Sequence, residues 1–380
     1  MKITGWEVLT LPDHGDSMML LVLDTDEGLH GIGEVGIRSR QKAVAGAIEH
    51  LGELLVGEDP ARIEHLWQVM FRRGFFPADR FVSAAIAAVD VALWDIKGKA
   101  LGVPVYELLG GRVRDHVPAY IHLGDDYHDR GRFLAKARDL VAEGWGHLRF
   151  AVPHAPDGVL DQRASMRAGI ELFHQVRAAV GDEVELILDV HTRLDPPEAL
   201  TLCREIEAAR PYFVEDPLRS EGPDAYRMLR SRTAAPLAAG EQFGSKWEFQ
   251  RLVEADLIDY ARVDVGVAAG LTEAKKIAAM CEAHYVKLAT HNPLGPVTAA
   301  SSLHLNLACP NAAIQEHQEQ PEPEIDALFT ARPKIHAGRV EISEIPGIGV
   351  DIDRDAARRY RAVAAERPHL RGPDGAFTNW

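Results

Sequence analysis

Three acidic side chains stand at the ends of short apolar segments in the second half of the chain, at equal intervals. Asp189 ends Leu186-Ile187-Leu188, Glu215 ends Tyr212-Phe213-Val214, and Glu241 follows Leu237-Ala238-Ala239-Gly240. The spacings are 215 − 189 = 26 and 241 − 215 = 26, each the length of one strand, loop and helix. In a parallel barrel such strand ends lie on one face. Three carboxylates gathered there repel one another and raise each other's pKa unless a cation joins them. An all-oxygen donor set favours a hard ion, and Mg²⁺, which keeps part of its hydration shell, leaves positions for substrate oxygens. Any one of these acids alone reads equally well as a strand-end residue on a solvated rim. Three in register change that balance.

The series continues. Asp264 closes Tyr260-Ala261-Arg262-Val263, His291 closes Leu288-Ala289-Thr290 at 291 − 264 = 27, and Glu316 follows at 316 − 291 = 25. A carboxylate beside a histidine fixes its tautomer and raises its basicity, so His291 paired with Asp264 is the candidate general base. His191 is two residues beyond Asp189. The two-residue period of a strand would turn both side chains to one face, setting His191 across the site from His291 as an acid. His147 and Arg149 share a face on another apolar segment. An arginine stays charged up to pH ~12 and cannot accept a proton, so this pair suits a substrate carboxylate or hydroxyl better than catalysis.

The elements that must hold these groups can be delimited from the pattern. Ile3–Leu11, Met18–Asp24 and Gly31–Val35 read as a small antiparallel sheet, and apolar positions recur at helical spacing from Gln41 to Ala100. This first module ends near Gly110-Gly111. Beyond it, short apolar segments alternate with helical stretches: Val117–His122, His147–Val152, Val184–Val190, Tyr212–Val214, Leu237–Ala239, Tyr260–Val263, Val286–Ala289 and Ala312–Ile314. Eight strands separated by helices imply parallel βαβ units closed into a barrel. The expected division is 1–115, 116–325 and a Pro- and Gly-rich tail, 326–380, that wraps back onto the first module.

Bulk properties narrow the function. At 380 residues the chain exceeds one ordinary compact domain. The net charge, 42 − 57 = −15, excludes a phosphate-backbone partner, which needs clustered Lys and Arg. Cys203, Cys281 and Cys309 have no paired spacing and read as buried thiols of a reducing compartment. The run Met18–Leu23 is too short to span a bilayer. With no secretory pattern at the start, the chain reads as a cytoplasmic protein that associates with neither membrane nor nucleic acid.

With these residues in view, the chain resembles the mandelate racemase-like subgroup of the enolase superfamily over nearly its whole length. The resemblance is carried by Ala87-Ala88-Val89-Asp90-Val91-Ala92-Leu93-Trp94-Asp95 with Gly98-Lys99, Pro104 and Leu108-Leu109-Gly110-Gly111, by Val214-Glu215-Asp216-Pro217, and by Ala239-Gly240-Glu241. It implies an α+β capping domain built from both chain ends, over a modified (β/α)7β TIM barrel. It also implies Mg²⁺ on Asp189, Glu215 and Glu241, and a homo-oligomer. Within the subgroup, Asp189-Val190-His191-Thr192-Arg193 and Thr290-His291-Asn292-Pro293-Leu294-Gly295-Pro296 look like the galactonate dehydratases, in which the first histidine acts as acid and the later one as base. Residues 188–194 are also similar to the mannonate dehydratases, which lack an Asp at the position of Asp264. The racemases carry Lys-x-Lys where this chain has His147-Leu148-Arg149.

The expected activity is therefore dehydration of a small-molecule carboxylate, a sugar acid. His291–Asp264 would take the α-proton, His191 would protonate the departing 3-hydroxyl, and a protonated Glu316 would donate to the intermediate. His14 in Asp13-His14-Gly15-Asp16 and Phe75 in Gly74-Phe75-Phe76-Pro77 are the cap-loop candidates for reading the far end of the substrate. Two other readings stand beside this one. A racemase would use His291 and His191 as opposed bases, and a non-catalytic regulator would keep the metal site without turnover.

Overall fold

The computed structural model describes residues 1–14, 16–155, 157–317, 321–360, 362 and 369–378. Gly15 in the first cap loop and Pro156 in the loop after the second barrel strand lie outside the described residues.

The chain opens with an antiparallel meander of β1 (Ile3–Asp13), β2 (Asp16–Thr25) and β3 (His30–Glu34). The expected helical stretch from Gln41 to Ala100 is three helices, α1 (Gln41–Leu55), α2 (Ile63–Arg72) and α3 (Arg80–Leu101). The breaks have a local cause. Gly57 and Gly74 sit at φ 87° and 93°, where a helix ends, and Pro60 and Pro77 come shortly after them. At α3 the Asp79 carboxylate accepts from Val82 N–H at the start, and Gly102 ends the helix at φ 69°. β3 lies almost directly on α3: a Cβ at Gly33 would stand 1.8 Å from the Ala88 carbonyl oxygen, and one at Gly31 2.0 Å from that of Ala92. Small residues on both elements make that approach possible.

After the short α4 (Val105–Leu108) come eight parallel strands: β4 (Val117–His122), β5 (His147–Ala151), β6 (Glu185–Asp189), β7 (Phe213–Glu215), β8 (Leu237–Ala239), β9 (Tyr260–Ala261), β10 (Lys287–Thr290) and β11 (Ala312–His317). β11 pairs with β4, which closes the barrel. Between them run α5 (Arg130–Ala142), α6 (Gln162–Val180), α7 (Pro196–Glu207), α8 (Tyr226–Arg230), α9 (Lys246–Val253), α10 (Leu271–Ala283) and α11 (Pro296–Leu307). This is the (β/α)7β order. Tyr120, Ile187, Phe213, Ala238, Tyr260, Ala289 and Ile314, one from each of seven strands, form a single buried cluster that fills the interior. Strand ends shift by a few residues from expectation: Glu215 lies inside β7, β9 is only two residues long, and β11 runs on to His317, with Glu316 paired to Tyr120.

The tail reaches both modules. Its short strands at 335–336 and 339–340 form a hairpin, the second strand pairing antiparallel with the start of β4. Arg354 grips Glu7 and Asp24 of the cap sheet, and Arg358 binds Glu7 at 2.6 Å. Cys203, Cys281 and Cys309 are buried free thiols. Among the described residues no helix is long and apolar enough to cross a membrane.

The two arginines hold the Glu7 carboxyl at about 2, below its usual 4.5; the Arg358 hydrogen bond is the largest cause. A carboxyl with a lowered folded-state pKa adds stability above pH 4.5 and loses it as pH falls toward 2. Glu7→Gln is accordingly expected to lower stability at pH 7 by about 1 kcal/mol, since the pair is partly solvated. The difference from wild type should vanish in melts below about pH 2.

Candidate active site

Each barrel strand delivers a polar side chain to the mouth: His122, Arg149, Asp189, Glu215, Glu241, Asp264, His291 and Glu316, in strand order. Because the strand order is circular, the third and seventh strands stand on opposite sides of the barrel. His191 comes after the third strand and His291 after the seventh, so the two histidines approach the mouth from opposite walls.

His291 is held on its Nδ1 by the buried Asp264 carboxylate at 2.7 Å, and its Nε2 lies 3.5 Å from Glu241 and 3.9 Å from Glu316. The other Asp264 oxygen accepts from Gly266 N–H at 2.7 Å, which leaves the carboxylate no freedom to turn. Burial alone would lower the His291 pKa. Glu241, Glu316 and Asp264 outweigh it and raise the group to about 9. Glu241 and the neighbouring Asp216 are pushed well above the carboxylate range, first by burial and then by the charges of the surrounding acids, with His291 opposing at Glu241. Glu215 Oε2 is buried without a hydrogen-bond partner.

Two arginines hold this ring of anions together. Arg262 is fully buried and donates to Glu215 at 2.6 Å, to Glu316 at 2.6 Å and to the Ala289 carbonyl at 2.9 Å. Arg149 donates to Asp189 and to His122 and lies 3.6 Å from Glu215. Among the described residues no three His, Cys, Asp or Glu side chains are already drawn around one point; Arg149 supplies the positive charge between Asp189 and Glu215. The donor set nevertheless fits a hard divalent cation. It offers oxygens only, one of them is buried without a hydrogen bond, and Glu241 is held in a field of like charge that such an ion would cancel.

The expectations for His147, for the protonation of Glu316 and for the strand placement of His191 are corrected by these positions. His147 faces the barrel interior but at the start of β5, where its ring meets Tyr212 edge-on at 5.2 Å. Two residues of strand put it ~7 Å below Arg149, at the closed end of the barrel, so it does not reach the site. Glu316 is not protonated. Burial opposes ionisation there, but His291, Arg262 and the His122 hydrogen bond hold it well below the usual range. One of its oxygens accepts from His122 and the other from Arg262 and Asn292 N–H, so it orders its neighbours instead of donating to a ligand. His191 is not on a strand: β6 ends at Asp189, and His191 and Thr192 take φ of 53° and 58°. A left-handed turn brings it back, its N–H donating to Asp189 Oδ1 at 2.6 Å. His14 sits exposed at the β1–β2 turn with φ 45°. Phe75 is 88% exposed and meets Phe76 edge-on at 5.3 Å.

His122 and Arg262 were missed by sequence reasoning, though a signal existed for each. His122 ends the first barrel segment and precedes Arg149 by 149 − 122 = 27, the interval that also separates Asp264 from His291. Arg262 is two residues before Asp264 and shares its face by strand periodicity.

Fold and site together define a capped (β/α)7β barrel with a cluster of strand-end carboxylates at its mouth. Comparison with known proteins agrees. Residues 132–356 match the enolase C-terminal domain-like model and residues 11–110 the mandelate racemase / muconate lactonizing enzyme N-terminal domain, and the chain belongs to this family. Among characterised relatives, the proteins named D-galactonate dehydratase from Ralstonia pickettii and Klebsiella pneumoniae are 38% and 39% identical, each alignment covering 100% of both chains. Among solved structures, an enolase from Pantoea ananatis with bound D-gluconate and Mg superposes with a TM-score of 0.93 at 31% identity, covering 100% of this chain and 99% of that one. A putative galactarate dehydratase from Agrobacterium radiobacter, with bound Na and L-malate, gives 0.90 at 29% identity and full coverage of both chains.

Removing Arg262 leaves Glu215 and Glu316 buried without their shared cation. Arg262→Met is expected to cost about 3–5 kcal/mol in the metal-free protein, measured as a lowered denaturation midpoint at unchanged slope.

Proposed function

We propose that this protein is a Mg²⁺-dependent sugar-acid dehydratase acting on an aldonate of the galactonate, gluconate or mannonate type. The observation that carries the reading is the His291–Asp264 dyad. With Nδ1 donating to Asp264, Nε2 is the ring nitrogen that exchanges a proton with the substrate, and it faces Glu241 across the carboxylate ring. His291 takes the α-proton of the substrate, and His191, on the opposite wall, gives a proton to the 3-hydroxyl. Water leaves, and the enol tautomerises to a 2-keto-3-deoxy acid. Asp189, Glu215 and Glu241 would hold Mg²⁺, which supplies the positive charge that a substrate carboxylate and the charge developing on it require. Arg149, rooted by Asp189, presents a planar cationic donor to the same carboxylate or a nearby hydroxyl.

The relatives named D-galactonate dehydratase and the neighbour with bound D-gluconate and Mg support the substrate class. The opposed placement of His191 favours one other reaction, a racemase in which His191 returns the proton to the α-carbon; it would exchange α-hydrogen with solvent and release no water.

The test is a panel of aldonates and aldarates with Mg²⁺, assayed for 2-keto-3-deoxy acid by the semicarbazide reaction. Turnover is expected on at least one aldonate, abolished by EDTA and lowered by at least ~10²-fold in His291→Asn. Silence across the panel would overturn the dehydratase reading, and α-deuterium exchange without product would replace it with the racemase.

A further inference from the structure

Asp264 and His291 reach the site on loops at the ends of very short strands, two residues in β9 and four in β10. Strands that short give their loops little positional control. Between the two loops the barrel supplies one main-chain hydrogen bond, from His291 N–H to the Val263 carbonyl at 3.1 Å. Asn292 N–H, next to His291, is also held by Glu316 of the barrel at 3.0 Å, and the cap adds restraints on both loops. Glu34, at the end of β3 and fully buried, accepts from Gly295 N–H at 2.6 Å with one carboxylate oxygen and from Thr298 N–H at 3.0 Å with the other. Gly295 is four residues beyond His291, and Thr298 lies in the first turn of α11, where helix N–H groups have no partner within the helix. Two residues after Glu34, Gly36 N–H donates to the Gly266 carbonyl at 3.1 Å, and Gly266 N–H in turn holds Asp264 Oδ1 at 2.7 Å. The contact is backbone on backbone: a Cβ at Gly36 would lie 2.4 Å from the Gly266 carbonyl carbon. The Asp264 loop is tied to the cap a second time where Trp67 Nε1–H donates to the Ala269 carbonyl at 2.9 Å.

One three-residue segment of the cap therefore grips both loops that carry the dyad. We propose that Glu34–Gly36 is a positioning clamp that sets the separation and orientation of Asp264 and His291, with Glu34 as its key positioning residue. The proposal rests on the dyad being the base of the proposed dehydratase. It gives the cap a role in proton abstraction besides covering the substrate. Glu34 touches neither substrate nor reacting atoms. It acts through Gly295 and the first turn of α11. A carboxyl group suits the task because each of the two N–H donors needs its own acceptor oxygen.

Glu34→Gln is the discriminating variant. The carboxamide keeps one acceptor and turns an N–H₂ against the other N–H, so one of the two grips is lost with almost no change of volume. A displaced base mainly slows the chemical step, so kcat on the aldonate turned over by the wild type is expected to fall roughly 10²-fold, with KM within a few-fold and the protein still folded by its melt. Gly36→Ala attacks the other grip from the Asp264 side, leaves Glu34 intact, and is expected to give the same split. A Glu34→Gln enzyme that is folded and has wild-type kcat, or one altered in KM alone, overturns the clamp. Crystal structures of wild type and Glu34→Gln give a readout that needs no substrate. The His291 Nδ1–Asp264 Oδ2 hydrogen bond, 2.7 Å here, should lengthen or break in the variant, and an unmoved dyad overturns the proposal. A wild type silent on every aldonate, with a dyad that still moves in the variant, would sink the dehydratase reading and leave the clamp standing.

Discussion

At the barrel mouth Asp189, Asp216, Glu215, Asp264 and Glu316 are buried and Glu241 is nearly so, and the charges of Asp189, Glu215 and Asp216 act on Glu241. Such an anionic ring can exist in a folded protein only if positive charge is threaded through it, and the placement of the remaining parts answers to that need. Arg262 lies between Glu215 and Glu316 and Arg149 between Asp189 and Glu215, while His291 faces Glu241. The same arrangement sets the chemistry of the proposed site. It raises the basicity of His291 and leaves oxygens that bind a hard cation well.

The barrel can carry this load because its interior below the ring is filled with apolar and aromatic side chains, Ile187, Phe213, Tyr260 and Ile314 among them. They exclude water from beneath the charges and keep the interactions above them strong. His147 belongs to that floor, where its contact is with Tyr212 and burial lowers its pKa. The cap closes the assembly from the other side. Its polar ties run from β3 and α3 to the starts of barrel helices: Glu34 to α11, and Asp90 to Thr272 at the start of α10. In a parallel barrel those helix starts lie beside the catalytic end of the strands. The cap is thus joined to the barrel at the level where the chemistry is placed.

Most of the fold and most of the site are legible in the chain alone. Strand positions come from short apolar runs, and the acids from their repeat of about 26 residues, because a parallel βα unit has a characteristic length and ends at one face. The His291–Asp264 pair can be read the same way, since each closes its own strand. The helices of the cap are less legible. The long helical stretch is divided at Gly57-Glu58-Asp59-Pro60 and Gly74-Phe75-Phe76-Pro77, where the backbone at both glycines turns left-handed and separates α1, α2 and α3.

The identity and order of groups around the mouth are written in the chain, because period and strand order are one-dimensional properties. Depth, partner and charge are settled only when the modules pack. His147 and Arg149 share a face, yet only Arg149 reaches the acids, since the alternation gives the shared face and not the depth at which the strand meets the mouth. His191 reaches Asp189 through a left-handed turn that strand periodicity does not foresee. Glu316 is ionised because Arg262, His291 and His122, from three other strands, converge on it. The grip of Glu34 on Gly295 joins residues 261 positions apart. Such contacts depend on how the modules dock, and no local spacing encodes that.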